Sequence, residues 1–93
     1  MLETPLEEVP FIVVDVETTG MDPAIDRITE IAMMRVRGNV MEDEFSTLVN
    51  PLVSIPATIT RITGIDNLMV QDAPPAREVA PYIREFLGDS VFT

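Results

Sequence analysis

The chain has 93 residues, with 16 acidic and 6 basic side chains, no histidine, no cysteine and a formal net charge of −10. This length allows one domain at most. The lack of Cys excludes a disulfide framework and a thiolate metal site, and the lack of His excludes Ser-His and Cys-His catalysis within this chain. The acidity argues against nucleic-acid binding through a basic surface, unless bound cations cancel charge where phosphate approaches.

The N-terminal segment predicts neither secretion nor a membrane anchor. Residues 1–8 are acidic and lack the basic region of a signal peptide. No apolar run reaches the ~20 residues needed to span a bilayer. We therefore expect a cytoplasmic protein with no membrane partner, in which residues 1–9 form a flexible leader.

The first structured element is predicted at Phe11–Val14, four residues of high β-propensity that follow Pro10. A continuous apolar run of this length is typical of a strand that is covered on both faces. Asp15 and Glu17 follow at its end. Because side chains alternate along a strand, the i, i+2 spacing places these two carboxylates on the same side.

Two neighbouring carboxylates repel each other unless they share a proton or bind a cation. Hard divalent ions such as Mg²⁺ or Mn²⁺ often use only one or two protein carboxylates, so Asp15 and Glu17 form a candidate metal site. The alternative is a pair of solvated acids at a strand end. The next residues are Thr18, Thr19 and Gly20. Gly20 permits a positive φ, and the Thr hydroxyls and backbone N–H groups could face an anionic ligand.

The following segments predict an antiparallel meander of three strands. Residues 27–37 alternate imperfectly and end at Gly38-Asn39, which favours a tight turn, and residues 40–50 form the next alternating segment. Short connections between consecutive strands are typical of antiparallel pairing.

Helical patterns come next. We predict a short helix over residues 57–62, a turn or short helix over 65–70, and a longer helix that starts within residues 72–75 and stops at Gly88. Pro81 lies inside the long helix and should remove a hydrogen bond or kink it. Its apolar stripe is predicted to consist of Val79, Tyr82, Ile83, Phe86 and Leu87. Residues 90–93 predict the start of another strand.

These motifs resemble those of the DEDD family of 3′→5′ exonucleases, which includes the epsilon proofreading subunit of bacterial DNA polymerase III. The resemblance covers nearly the whole chain. The residues that carry it, in the order in which they occur, are Val14–Gly20, Ile28–Ala32, Asn50-Pro51, Ile62–Ile65 and Phe86–Gly88.

The resemblance implies an α/β, ribonuclease H-like fold that removes nucleotides from nucleic-acid 3′ ends with two divalent ions, Mg²⁺ or Mn²⁺. It implies that Asp15 bridges both metals and that Glu17 binds one. Thr18, Thr19 and Gly20 match the turn beside the terminal nucleotide. Ile62 and Thr63 match positions that contact its base and sugar, although core packing remains the alternative for Ile62. Glu30 is interpreted as a structural acid.

The family's second and third acidic motifs, and the His or Tyr general base that precedes the third, are not found in this sequence. Tyr82 lies on the predicted core stripe and is interpreted as packing. We therefore expect residues 1–93 to be the N-terminal portion of one exonuclease domain, incomplete and inactive alone.

Two functions remain open from the sequence. The first is a metal-dependent exonuclease in DNA proofreading or repair. Its partners would be a single-stranded nucleic-acid 3′ end, with DNA favoured over RNA, and a DNA polymerase subunit. The second is an acidic, non-catalytic protein-interaction module with a vestigial Asp15/Glu17 pair.

Overall fold

The computed structural model describes residues 9–22 and 26–88 of the chain. The predicted leader, apart from Val9, and the strand predicted over residues 90–93 lie outside the described residues. The elements in chain order are β1 (Pro10–Thr18), β2 (Ile28–Arg37), β3 (Val40–Leu48), α1 (Ala57–Thr63), α2 (Asn67–Val70) and α3 (Ala76–Leu87).

The described strands form one antiparallel sheet in the order β1-β2-β3. The turn between β2 and β3 falls at Gly38-Asn39, so the predicted meander is confirmed. β1 is longer than predicted, because it runs through Asp15 and Glu17 instead of ending before them. The pairing of β1 with β2 shifts register just after Glu17. Such a bulge bends the strand and re-aims the side chains near it.

One face of the sheet carries the main hydrophobic core. Its buried members come from β2, the segment after β3, and α3: Ile31, Met33, Val49 and Val79. The side chains of Ile12 and Phe45 pack against this cluster from β1 and β3. Because directly opposed residues share a face, the pairs of Val14 with Met33 and of Met33 with Phe45 show that this face continues across the three strands.

A second buried cluster lies beneath the short helices and consists of Ile55, Ile65 and Val70. α1 ends at Gly64, whose φ of 80° is left-handed and whose N–H donates to the Thr60 carbonyl. Glycine adopts this conformation without a Cβ penalty, so the predicted helix stop is confirmed. α2 begins at Asp66, whose side chain accepts a hydrogen bond from the Met69 N–H.

The prediction that β1 is covered on both faces does not match the described part of the chain. Phe11, Val13, Val14 and Val16 are all exposed. Phe11 and Val13 share the face that bears Asp15, because every second side chain along a strand points to the same side. The only partner strand of β1 in the described sheet is β2. The apolar run therefore predicted the strand correctly, but it did not predict that the strand is exposed in the described part of the chain.

α3 continues through Pro81 without a break in its assigned range, Ala76–Leu87. Val79 is buried, and Ile83, Phe86 and Leu87 pack against the core, as the stripe predicted. Tyr82 differs, because it is 61% exposed. Its ring stacks on Phe45 at the side of the helix that faces the edge of the sheet. Among residues 9–22 and 26–88, no helix is sufficiently long and apolar to cross a membrane.

Two neighbouring methionines test this account of the core. Met33 is 2% exposed and Met34, on the opposite face of β2, is 39% exposed. Met33→Ala should lower the free energy of unfolding by about 2–5 kcal/mol, because it leaves a cavity in a packed core. Met34→Ala should cost less than about 1 kcal/mol, since its side chain is already partly exposed to water and its loss leaves no enclosed cavity. Urea denaturation of both variants measures the difference, and Met33→Leu replaces Met33→Ala if the latter does not fold. Equal losses from the two alanine variants would contradict the assignment of faces.

Candidate active site

The acidic pair lies on the sheet face opposite the core. Asp15 is exposed and Glu17 is partly buried, and both belong to β1. Their spacing of two residues puts both carboxylates on one side of the strand. Neither carboxylate takes part in a hydrogen bond or an ion pair with any residue that the structure describes. Their oxygen lone pairs are therefore available to a ligand.

A third carboxylate adds to the negative charge on this face. Glu30 on β2 is the direct cross-strand partner of Glu17. Like charges in directly opposed positions repel and destabilise the strand pair. Glu30 was interpreted as a structural acid, but within the described part of the chain it has no hydrogen bond or ion pair. Residues 9–22 and 26–88 contain no group of three or more His, Cys, Asp or Glu side chains close enough to hold a metal ion.

The turn after β1 is held by hydrogen bonds to the start of β2. Thr19 is 2% exposed. Its hydroxyl donates to Asp26 Oδ1 at 2.8 Å and accepts from the Arg27 N–H at 2.9 Å. Its own N–H donates to the Arg27 carbonyl at 2.8 Å. The prediction that this hydroxyl faces an anionic ligand is therefore wrong for Thr19, whose polar groups are satisfied inside the turn.

Gly20 is required by close packing and not by its φ, which is not positive. A Cβ at this position would lie 2.5 Å from Asp26 Oδ2. That carboxylate is fixed by Thr19 and by the Asp22 N–H, which donates to Oδ2 at 2.9 Å. The Thr18 hydroxyl donates to the Gly20 carbonyl, which closes the turn from the other side.

A cleft of about 220 Å³ opens between the end of β1 and the C-terminal half of α1. It joins two segments that lie about 40 positions apart in the sequence. The residues that line it are Val16, Glu17, Thr18, Gly20, Met21, Ile59, Ile62 and Thr63. The structure thus brings together Glu17, Thr18, Gly20, Ile62 and Thr63 from the predicted site. Asp15 and Thr19 do not line the cleft.

Ile62 is 79% exposed, so core packing, the alternative left open by the sequence, is excluded in the described structure. Its side chain presents an apolar surface to the cleft. Thr63 has a more local role, because its hydroxyl donates to the Ile59 carbonyl at 3.1 Å and accepts from the Ile65 N–H at 3.1 Å. These bonds secure the end of α1 beside the cleft.

The sequence analysis missed Met21 as a lining residue. This side chain is 95% exposed and stands across the cleft from α1. It was interpreted only as part of a loop. The available signal was its position directly after the Thr-Thr-Gly turn, and it was a weak one, because single apolar side chains are common on protein surfaces.

The fold resembles that of solved nucleases. Exonuclease X, solved with duplex DNA that has a 5′ overhang, superimposes with a TM-score of 0.69 at 30% sequence identity, over 77% of this chain and 42% of that one. The nuclease domain of 3′hExo, a DEDDh family member, has the same fold, with a TM-score of 0.75 over 86% of this chain and 44% of that one at 19% identity. The predicted ribonuclease H-like fold is therefore confirmed.

The exonuclease family model RNase_T matches residues 12–93, and the chain therefore belongs to this exonuclease family. DNA polymerase III PolC-type from Bacillus subtilis is 42% identical over 92% of the chain, which spans 6% of that relative. The DNA polymerase III subunit epsilon from Aquifex aeolicus is 41% identical over 87% of the chain, which spans 40% of that relative. The resemblance to DEDD exonucleases read from the motifs is thus confirmed.

The energetic coupling between Gly20 and Asp26 can be measured. Gly20→Ala should destabilise the protein by about 1–3 kcal/mol, because the added methyl group overlaps a carboxylate that cannot move freely. Asp26→Ala should also destabilise it, through the loss of its hydrogen bonds to Thr19 and Asp22. Adding Gly20→Ala to Asp26→Ala should cost much less than adding it to the parent, because residues in direct contact are coupled. A double-mutant cycle of unfolding free energies provides the measurement, and strictly additive losses would contradict the proposed contact.

Proposed function

We propose that this chain supplies the first acidic motif and the terminal-nucleotide cleft of a metal-dependent 3′→5′ exonuclease. The observation that carries the proposal is the position of Glu17. It belongs to the unpaired acidic pair on β1 and also lines the cleft between β1 and α1. A cation held by the pair would therefore lie beside any nucleotide that occupies the cleft.

The donor set fits a hard divalent cation. Asp15 and Glu17 offer only oxygen ligands, and neither has a protein partner among the described residues. DEDD exonucleases use divalent metal ions, which when bound polarise the scissile phosphodiester, activate the attacking water and stabilise the leaving oxygen. In this proposal Asp15 would help to hold both of two ions, Mg²⁺ or Mn²⁺, and Glu17 would help to hold one. The cations also relieve the repulsion between Glu17 and Glu30 across the strand pair.

The remaining site residues position the substrate in this proposal. Thr18 and Gly20 form the polar wall of the cleft, and Ile62 with Met21 forms the apolar walls. Apolar side chains can contact the base or sugar of a nucleotide whatever the substrate sequence. The rigid turn holds the sugar-phosphate backbone of the substrate at a fixed distance from the protein. Thr19 acts indirectly and does not contact the substrate in this proposal, because its hydrogen bonds fix the turn that contains Gly20.

The substrate in this proposal is the 3′ end of a single strand, and DNA is favoured over RNA. The support comes from relatives named as DNA polymerase III PolC-type and subunit epsilon. The polymerase names of these relatives also support a partnership with a DNA polymerase subunit, and the proposal adds a role in proofreading or repair in the cytoplasm. With a net charge of −10, the chain offers little electrostatic attraction for a long duplex, which favours engagement of a short terminal segment.

Metal binding can be measured directly by calorimetric titration of Mn²⁺. We expect Asp15→Asn to remove the strongest binding, because this carboxylate is proposed to contact both ions. Glu17→Gln should weaken binding less, since it is proposed to contact one. Glu78→Gln, an exposed acid on α3, is the matched control and should bind as the parent does. If Asp15→Asn and the parent bind Mn²⁺ equally, Asp15 does not belong to the site.

Catalysis provides a separate test with 3′-end-labelled single-stranded oligonucleotides. The protein expressed from its full reading frame should release mononucleotides, and a chelator should stop the release. Asp15→Asn should reduce kcat on the order of 100-fold or more, as when another group that stabilises transition-state charge is removed. Ile62→Ala should raise KM roughly tenfold with little change in kcat, because it removes an apolar contact that is the same in ground and transition states.

Residues 1–93 alone are expected to show no turnover, because Asp15 and Glu17 supply only part of the ligands that two metal ions require. Leu68→Ala, which shortens an exposed apolar residue on α2 that does not line the cleft, is the control for Ile62→Ala. Activity that survives the chelator would contradict the metal mechanism. A full-length protein that folds but neither binds Mn²⁺ nor cleaves would instead support the non-catalytic module with a vestigial acidic pair.

A further inference from the structure

A second exposed surface lies between the outer strand β3 and α3. The rings of Phe45 and Tyr82 are stacked there, with centroids 6.5 Å apart and planes inclined by 10°. Phe86 adjoins Phe45 at 6.3 Å. Phe45 is paired with Met33 and so belongs to the core face of the sheet, whereas Asp15 is paired with Ala32 on the other face. This surface is therefore separate from the candidate active site.

The stack stands between two hollows. One, of about 650 Å³, is lined mainly by apolar side chains, with Ser46, Thr47 and Glu78 as its polar lining residues. We call it the aromatic groove, and its principal lining residues are Phe45, Thr47, Pro74, Val79, Pro81 and Tyr82. The other, of about 480 Å³, lies along the remaining side of the Tyr82 ring and continues to Phe86. A volume of this size accommodates one or two large side chains.

The rim of both hollows is acidic. Its four carboxylates are all exposed, and they are Asp43, Glu44, Glu78 and Glu85. Among residues 9–22 and 26–88, Arg35 is the only cationic residue that lines either hollow. Its guanidinium is already engaged, because it lies 3.5 Å from Asp43, donates to the Phe86 carbonyl and sits 4.7 Å above the Phe86 ring. The rim therefore has a negative charge that the described residues do not neutralise.

β3 is an outer strand of the described sheet, and one of its backbone edges is unpaired there. An open edge can accept an added strand from another chain. Phe45 and Thr47 lie on the side of β3 that faces the groove. A segment added at this edge would direct alternate side chains into the groove and the others towards solvent.

We propose that the aromatic groove binds an extended, basic segment of a partner protein. An apolar side chain of that segment packs against Phe45 and Tyr82, and its Lys or Arg side chains pair with the rim carboxylates. Charge selects this occupant over two others. A second copy of this chain, with a net charge of −10, would be repelled by the rim, and nucleic acid would bring phosphates to it.

Two synthetic ten-residue peptides provide the probe. One alternates Lys and Val around a central Trp, and the other has Glu in place of every Lys. The protein should bind the Lys peptide and not the Glu peptide, as measured by fluorescence anisotropy at physiological salt. Tyr82→Ala should weaken binding about tenfold, which corresponds to ~1.4 kcal/mol. Glu78→Arg should weaken it as well, and it tests the same surface if Tyr82→Ala does not fold.

Matched controls distinguish binding at this surface from a general attraction of the basic peptide to an acidic protein. Asp72→Arg makes the same charge change as Glu78→Arg at an exposed residue that lines neither hollow, and Leu68→Ala shortens an exposed apolar side chain on α2. Both should change binding less than twofold. Equal weakening by Asp72→Arg and Glu78→Arg, or equal binding of the two peptides, would overturn the proposal. Self-association of the protein that Tyr82→Ala abolishes would overturn it in favour of a second copy as the occupant.

Discussion

The repulsion between carboxylates on one face of the sheet is the constraint on which the candidate site depends. Strand alternation fixes Asp15 and Glu17 on the same side of β1, and antiparallel pairing then places Glu30 opposite Glu17. No cation of the described chain neutralises them. Such an arrangement costs stability in isolation, and in our proposal a bound cation offsets that cost.

The turn after β1 forms one wall of the cleft beside this charged strand end. Asp26 is central, because one oxygen accepts from Thr19 and the other accepts from the Asp22 N–H. The fixed carboxylate leaves room only for a hydrogen atom at Gly20. A rigid turn of this kind holds neighbouring groups in place without direct contact with substrate. The cleft is therefore positioned by a partly buried acid, Asp26, while Glu17, which lines the cleft, has no partner among the described residues.

The two faces of the sheet use aromatic and acidic residues differently. On the face with Asp15, acids lie beside apolar side chains that line a cleft. On the other face, carboxylates lie around the stacked rings of Phe45 and Tyr82, and Arg35, the one cationic residue among the described residues that line the two hollows, is already engaged. The same acidic composition thus serves cation binding at one site and, in our proposal, selection of a basic partner at the other.

The sequence by itself determined the meander, the helix ends and the common face of Asp15 and Glu17, because these depend on alternation and turn chemistry within a few residues. It also predicted five of the residues that line the cleft, through the family motifs. Only the tertiary structure decided that Ile62 is exposed to that cleft, that Gly20 is required by Asp26, and that the Tyr82 ring stands outside the core. Each of these depends on contacts between segments that are distant along the chain. A local pattern of residues does not show which distant segments will come into contact.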